Sequence, residues 1–113
     1  MPFDMTEYCF TLDLIDDPHL IEEYEEWHRN VWPEVIANIK KAGIDAMEIY
    51  RYGSRLMMII QVNADFSPAR KTALDQANDK VQEWERLMWT YQKALPGTKP
   101  GEKWVQMKKI FEL

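Results

Sequence analysis

In TEYCFTLDL (residues 6–14), aromatic or aliphatic residues occupy every second position from Tyr8 onward. An alternation with a period of two predicts a β-strand with one buried face. Two later runs, IDAMEIYRY (44–52) and RLMMIIQVN (55–63), are also strand-like, and the Gly53-Ser54 link between them is typical of a hairpin. The segment KWVQMKKIFEL (103–113) predicts a final strand after a loop rich in proline and glycine.

Between the first two strands, apolar residues recur at spacings of three and four, which is the period of an amphipathic helix. Asp17 and Pro18 are favourable at the start of this helix, as its cap and its first residue. Pro33 removes a backbone donor and clashes with the preceding turn, so it must interrupt the helix. A second, short helix then ends at Gly43, a usual helix terminator.

Another helical region follows the hairpin and begins at Ser67-Pro68. Within it, Asn78-Asp79 predicts the start of a new helix, because asparagine is a favourable N-terminal cap. From Val81 onward, apolar residues step by three and four as far as Leu95. We therefore expect an amphipathic helix that continues to Leu95 and ends before Pro96-Gly97.

The predicted order of elements is β-α-β-β-α-β over a single domain of residues 1–113, which is the ferredoxin-like α+β pattern with an antiparallel sheet. Helices cover one face of such a sheet. The opposite face is apolar as well, because the third strand alternates between two apolar sets, which we assign as Leu56, Met58 and Ile60 on one face and Met57, Ile59 and Val62 on the other. A second apolar face needs a partner, and a homodimer formed sheet to sheet is the simplest one.

Charge and composition exclude several classes of partner. The net charge of −5 opposes binding to a nucleic-acid backbone. No stretch approaches the roughly 18 apolar residues of a membrane span, and the N-terminal MPFDMTEY lacks the basic and apolar regions of a secretory signal. We therefore expect a cytoplasmic protein that binds neither nucleic acid nor membrane. The single Cys9 excludes an internal disulfide.

Tyr24 and His28 are the residues best suited to chemistry. Their spacing of four places a phenol and an imidazole on one helix face, one turn apart. The imidazole accepts and donates protons near neutral pH because its pKa is ordinarily about 6.5. The residues alone leave two alternatives open, namely a histidine that only caps the interrupted helix and a tyrosine that belongs to the core.

Other kinds of site lack the residues that they need. No cluster of histidine, cysteine and carboxylate has metal-ligand spacing, so no metal is predicted, and the four glycines form no phosphate-binding loop. Five tryptophans in 113 residues favour a sugar, whose C–H faces pack on aromatic rings while carboxylates accept its hydroxyl protons. Trp32, Trp84 and Glu85 are candidates for these contacts, although Trp84 also suits the core.

In these residues the chain resembles the L-rhamnose mutarotase family, and in particular its L-fucose branch. The resemblance covers nearly the whole chain. Its most specific part is the run of Tyr24, His28, Trp32 and Pro33. The other parts are LDLIDDP (12–18), MEIYR (47–51), VQEWE (81–85) before a Leu-Pro helix end, PGEKW (100–104) and KIFEL (109–113).

The resemblance implies a ferredoxin-like domain paired into a dimeric α/β barrel, which interconverts the α and β anomers of a 6-deoxyhexose without a cofactor. It assigns His28 as proton donor and Tyr24 as a sugar contact, which we expect to act from across the sugar ring. Rhamnose-type members have a second tryptophan where this chain has Glu85, and a substrate-contacting tyrosine where it has Met47. These departures favour L-fucose over L-rhamnose. A non-catalytic dimeric module that binds a small ligand is the alternative of another class.

Overall fold

Five strands and four helices follow one another in residues 6–113, the part of the chain that the computed structural model describes. Residues 1–5 lie outside it, and with them most of the segment MPFDMTEY on which the prediction about a secretory signal depends. The strands are β1 (Glu7–Leu14), β2 (Ile44–Tyr52), β3 (Arg55–Val62), β4 (Gln92–Lys93) and β5 (Val105–Gln106). The helices are α1 (Pro18–Arg29), α2 (Pro33–Lys41), α3 (Pro68–Ala77) and α4 (Asp79–Trp89). None of these four helices is long and apolar enough to cross a bilayer.

The sheet has the strand order β2-β3-β1-β4, and neighbouring strands are antiparallel. The short β5 also pairs with β1, on the same edge as β4. The two central strands are therefore β1 and β3, which are neighbours in the sheet but are separated along the chain by α1, α2 and β2. This arrangement confirms the ferredoxin-like α+β fold that the order of elements predicts.

Capping residues set where the helices begin. The Asp17 carboxylate accepts hydrogen bonds from two backbone N–H groups of α1, at 2.9 and 3.2 Å. Asn78 caps α4 in the same way, at 3.1 and 3.2 Å, and so separates it from α3. Pro33 is the first residue of α2. Both predicted interruptions of the helical regions are confirmed.

Two predictions for the C-terminal part are wrong. Helix α4 ends at Trp89 rather than at Leu95, because the chain that follows joins the edge of β1. The N–H of Ile15 donates to the carbonyl oxygen of Tyr91 at 2.8 Å, and β4 pairs with the end of β1. Of the predicted final strand, only Val105–Gln106 pairs, farther along the same edge. Hydrogen bonds to the open edge of β1 thus outweigh the helical spacing that continues to Leu95.

The core lies between the sheet and the helices, and its largest fully buried side chains are Leu12, Leu14, Leu56 and Ile60. Val62 belongs to this face, because it is buried and packs with Ile44 and Ile60. Its assignment to the opposite face is therefore wrong. The reason is geometrical, since side chains two residues apart on a strand point to the same side.

The opposite face of the sheet has no helix on it, and we call it the outer face. The exposed Glu48 lies on this face opposite Ile59. The other central side chains of this face are Cys9, Thr11, Tyr50, Met57 and Ile59, which are cross-strand neighbours on β1, β2 and β3. Tyr50 is half exposed and the other four are partly buried. The predicted second apolar face is therefore present on the described chain.

Candidate active site

A cavity of about 170 Å³ lies between the helices and the sheet. The sheet contributes an apolar floor that includes Met47, Ile49 and Met58. Met47, which the family resemblance predicts at the site, thus lies at this cavity. Helices α1, α2 and α4 supply most of the remaining wall. Apolar walls with a few polar groups are typical of a site for a small molecule.

Tyr24 and His28 both line this cavity from the last two turns of α1. Their ring centroids are 4.4 Å apart, with an angle of 40° between the ring planes. Rings in direct contact leave no room for a sugar between them. The two groups therefore reach the cavity side by side, whereas the sequence-based expectation places Tyr24 across the sugar ring from His28.

Hydrogen bonding determines which nitrogen of His28 carries the proton. Nδ1 lies 2.8 Å from the backbone oxygen of Tyr24. A carbonyl oxygen can only accept, so Nδ1 donates, and in the neutral ring Nε2 is left as an acceptor. Burial lowers the pKa of His28 below its ordinary value of 6.5, and the bond to the Tyr24 carbonyl only partly opposes this. At neutral pH the imidazole is thus an uncharged base.

The pKa of Tyr24 shifts upward, whereas that of His28 shifts downward, so Tyr24 keeps its proton. Burial raises the pKa of Tyr24 to about 12, which the hydrogen bond with Gln92 partly offsets and the charge of Glu85 reinforces. The Gln92 amide nitrogen donates to the Tyr24 hydroxyl oxygen at 3.4 Å. The tyrosine hydroxyl is therefore a hydrogen-bond donor throughout the neutral range.

Only one of the two tryptophans predicted to contact a sugar reaches the cavity. Trp84 lines it and meets the ring of His28 edge-on, with centroids 5.8 Å apart. Trp32 does not line the cavity; its ring packs edge-on against Trp84 at 5.2 Å, and Lys80 Nζ lies 5.9 Å from its centroid. Trp32 therefore supports Trp84, and Trp84 in turn supports His28.

Glu85 follows Trp84 in α4 and lines the cavity together with Lys103, from the loop before β5. Lys103 Nζ donates to the Glu85 carboxylate at 2.7 Å and to the Glu85 backbone oxygen at 3.0 Å. The same ammonium lies 4.9 Å from the ring centroid of Trp89. Burial lowers the pKa of Lys103, and the charge of Glu85 opposes this shift. These contacts fasten the loop to α4 and hold the carboxylate at the cavity.

Three further lining residues, Gln92, Lys103 and Trp104, are absent from the sequence-based assignment. The sequence-based prediction places Gln92 inside the helix that continues to Leu95. In the structure Gln92 lies in β4, where it pairs with Leu14, and its side chain is on the same buried side of the sheet as that of Leu14. Lys103 and Trp104 belong to the PGEKW segment that supports the family resemblance. The sequence of this segment could therefore have indicated that Lys103 and Trp104 belong to the site. Its position beside α4, however, depends on the tertiary fold.

A second polar cluster borders the cavity between α2 and α3. Asn38, which is buried, donates to the Asp75 carboxylate at 2.7 Å, and Lys71 donates to its other oxygen at 2.6 Å. Because both oxygens of Asp75 have a donor, this cluster joins the two helices without leaving a free charge. Within residues 6–113, no three or more histidine, cysteine or carboxylate side chains are grouped so as to hold a metal ion.

Comparisons with known proteins point in one direction. The family model described as L-rhamnose mutarotase matches residues 7–113. The L-fucose mutarotase of Xanthomonas campestris pv. campestris is 51% identical over 111 residues, which are 96% of this chain and 89% of that protein.

Two solved structures share the fold. The L-rhamnose mutarotase of Formosa agariphila superposes with a TM-score of 0.70 at 19% identity, covering 95% of this chain and 97% of that one. A dimeric ferredoxin-like protein from an uncultured marine organism gives a TM-score of 0.58 at 12% identity, covering 95% and 96%. At such identities the similarity concerns the fold alone.

Proposed function

Because the chain belongs to the L-rhamnose mutarotase family, we propose that it interconverts the α and β anomers of a 6-deoxyhexose and that L-fucose is its preferred substrate. The observation that carries this proposal is the cavity in which an uncharged His28 lies beside a protonated Tyr24. The reaction consists of proton transfers and the opening of one C–O bond. It therefore needs no cofactor.

His28 moves the proton. Its Nε2 accepts the proton of the anomeric hydroxyl, the bond between C1 and the ring oxygen breaks, and the imidazolium then gives this proton to the ring oxygen. The anomeric oxygen and the ring oxygen are both bonded to C1, so a single imidazole can take the proton from one and deliver it to the other. The open aldehyde rotates about C1–C2 and closes on its other face by the reverse steps, which leaves the number of protons unchanged.

Tyr24 acts as a hydrogen-bond donor. Its pKa of about 12 keeps the hydroxyl protonated, so it stabilises the negative charge that develops on a sugar oxygen as the ring opens. Because its ring touches that of His28, the hydroxyl acts at the same carbon. The side-by-side arrangement suits two oxygens on one carbon better than an arrangement across the sugar would.

One feature of the wall supports a 6-deoxyhexose in general, and a second supports L-fucose. The floor around Met47 is apolar, which suits the C6 methyl group of a 6-deoxysugar. The Glu85 carboxylate, held by Lys103 at 2.7 Å, accepts hydrogen bonds from sugar hydroxyls where rhamnose-type members have a tryptophan. The 51% identity to an L-fucose mutarotase agrees with this choice. L-Rhamnose is the second candidate, because the matching family model is described by that sugar.

Anomeric exchange measured by proton NMR tests the proposal. We expect the protein to accelerate exchange of both sugars, with a higher kcat/KM for L-fucose than for L-rhamnose. His28→Asn should lower kcat/KM by about 10²- to 10⁴-fold. The matched control is His19→Asn, at the exposed start of α1, which should retain full activity. If neither sugar exchanges faster the proposal fails, and sugar binding without acceleration would identify a binding module instead.

We also propose that two copies of the chain associate through their outer faces to form a dimeric α/β barrel. The outer face presents Met57 and Ile59 on a central strand, with Tyr50 beside them. Beyond β5, Ile110 and Phe111 are 89% and 76% exposed, and apolar surface of this kind is typical of interfaces. The structural neighbour described as a dimeric ferredoxin-like protein supports the association of two copies.

A further inference from the structure

Gln92 is a buried polar residue at the wall of the cavity and takes no part in the proposed proton transfers. It lies on β4, where it pairs with Leu14 and shares the buried side of the sheet. Its side chain is 6% exposed and lines the cavity next to Tyr24. A polar side chain at such a position normally has all of its hydrogen-bonding groups paired within the protein.

The carboxamide of Gln92 is only half paired. Its nitrogen donates to the Tyr24 hydroxyl oxygen at 3.4 Å. Its oxygen has no protein partner, and it is the one buried side-chain nitrogen or oxygen in residues 6–113 of which this is true. Turning the amide over exchanges the two roles and leaves the nitrogen unpaired instead. In either orientation, one polar atom beside the catalytic tyrosine is left for a ligand.

We propose that the Gln92 carboxamide binds the 2-hydroxyl group of the substrate and thereby helps to select the sugar. The position follows from the contacts, because Tyr24 and His28 act at C1 and Gln92 touches Tyr24, so the hydroxyl on the next carbon is the nearest one. L-Fucose and L-rhamnose differ in configuration at C2 and at C4, and the C2 hydroxyl is the one next to the reacting carbon. A hydroxyl both donates and accepts, so it pairs with whichever end of the amide faces it. This inference rests on the proposed mutarotase function.

The test combines a change in the protein with a change in the sugar. Exchange rates of L-fucose and 2-deoxy-L-fucose are measured with wild type and with Gln92→Met, which has a similar shape and no amide. With L-fucose, Gln92→Met should lower kcat/KM by about 10- to 50-fold, since it leaves a buried hydroxyl without its partner. With 2-deoxy-L-fucose, the same substitution should change kcat/KM by less than about threefold, because that hydroxyl is already absent.

Equal losses with the two sugars would overturn the inference, since Gln92 would then only position Tyr24. An unchanged rate with L-fucose would overturn it as well. Neither result concerns the proposed function, which fails only if the wild-type protein does not accelerate L-fucose exchange. Gln92→Asn, which keeps the amide but withdraws it by one carbon, should show the same sugar-dependent loss and replaces Gln92→Met if that variant does not fold.

A matched control separates binding from folding. Gln82 is another partly buried glutamine, and its amide nitrogen donates to the backbone oxygen of Asp75 at 2.8 Å. Gln82→Met removes a satisfied hydrogen bond away from the cavity, so it should lower the Tm and leave both exchange rates unchanged. Gln92→Met removes one long hydrogen bond, at 3.4 Å, together with an unpaired buried oxygen, so it should lower the Tm less than Gln82→Met does. A Tm lowered at least as much as by Gln82→Met, together with equal losses on both sugars, would assign Gln92 a structural role only.

Discussion

His28 is a base in this protein because its neighbours specify both its tautomer and its charge. The Tyr24 backbone oxygen accepts a hydrogen bond from Nδ1–H, and burial disfavours the imidazolium. The edge of Trp84 limits the movement of the ring. Each influence comes from a different part of the chain, so the chemistry of this histidine cannot be assigned from the Tyr-x-x-x-His spacing alone.

The lowered pKa of His28 predicts how activity and stability depend on pH. Between the pKa of the folded protein and about 6.5, the unfolded chain binds more protons at this residue than the folded one. The contribution of His28 to stability is therefore fully present above about pH 6.5 and decreases as pH falls through this window. For the same reason, kcat/KM for L-fucose should stay constant on acidification to below pH 6.5 before it falls.

An NMR titration of the His28 ring protons, together with the pH profile of enzymatic exchange, measures this directly. The uncatalysed rate is subtracted at each pH. A midpoint at or above the ordinary value would contradict the assignment, as would an acidic limb that persists in the residual activity of His28→Asn.

Among the elements, the turn between α2 and β2 depends most strictly on one residue. Gly43 has a φ of +94°, and an added Cβ would lie 2.8 Å from both the Asn63 side-chain oxygen and the Phe66 backbone nitrogen. Gly53, in the β2–β3 hairpin, has a φ of +58° with no atom within 4 Å of such a Cβ. The two glycines therefore share a backbone conformation that disfavours side chains and differ in the space around them.

Alanine substitution at the two positions should consequently have unequal costs. Gly53→Ala should lower the free energy of unfolding by about 1 kcal/mol, through the backbone conformation alone. Gly43→Ala should lower it by about 3 kcal/mol, because backbone atoms must also move. Urea denaturation of both variants measures the difference, and equal losses would show that the turn at Gly43 has room for a side chain.

The short strands β4 and β5 show the limit of predicting secondary structure from local sequence patterns. The stripe from Val81 to Met88 correctly predicts α4, but Tyr91 continues the same spacing after the helix has ended. The Tyr91 hydroxyl donates to Glu23 at 3.0 Å and accepts from Trp27 at 3.0 Å. These partners are more than sixty positions away. Local periodicity carries no information about them.

For the whole molecule, association through the outer face is the main prediction. Ile59→Lys places a charge at the centre of this face, between β1 and β2, where a monomer tolerates it and an apolar interface does not. Sedimentation velocity should show wild type at twice the chain mass and Ile59→Lys at the chain mass. Ala37→Lys, on the exposed side of α2, adds the same charge and should remain dimeric. A wild-type monomer would contradict the proposed pairing.

Local patterns are sufficient for much of this protein. Residues within one turn or one strand of each other specify the helix caps at Asp17 and Asn78, the break at Pro33, the hairpin and the common face of Tyr24 and His28, since these depend on near neighbours. The element order then restricts the fold to the ferredoxin-like arrangement.

Other properties depend on groups that are distant in sequence, and only packing brings these together. The free edge of β1 ends α4 early and turns Gln92 toward the cavity, and the contact of Lys103 with α4 brings the C-terminal loop to Glu85. Burial makes His28 an uncharged base and keeps Tyr24 protonated. Hydrogen-bond partners and burial are properties of the folded chain, so the spacing of residues indicates which groups are available but not how they are charged or paired.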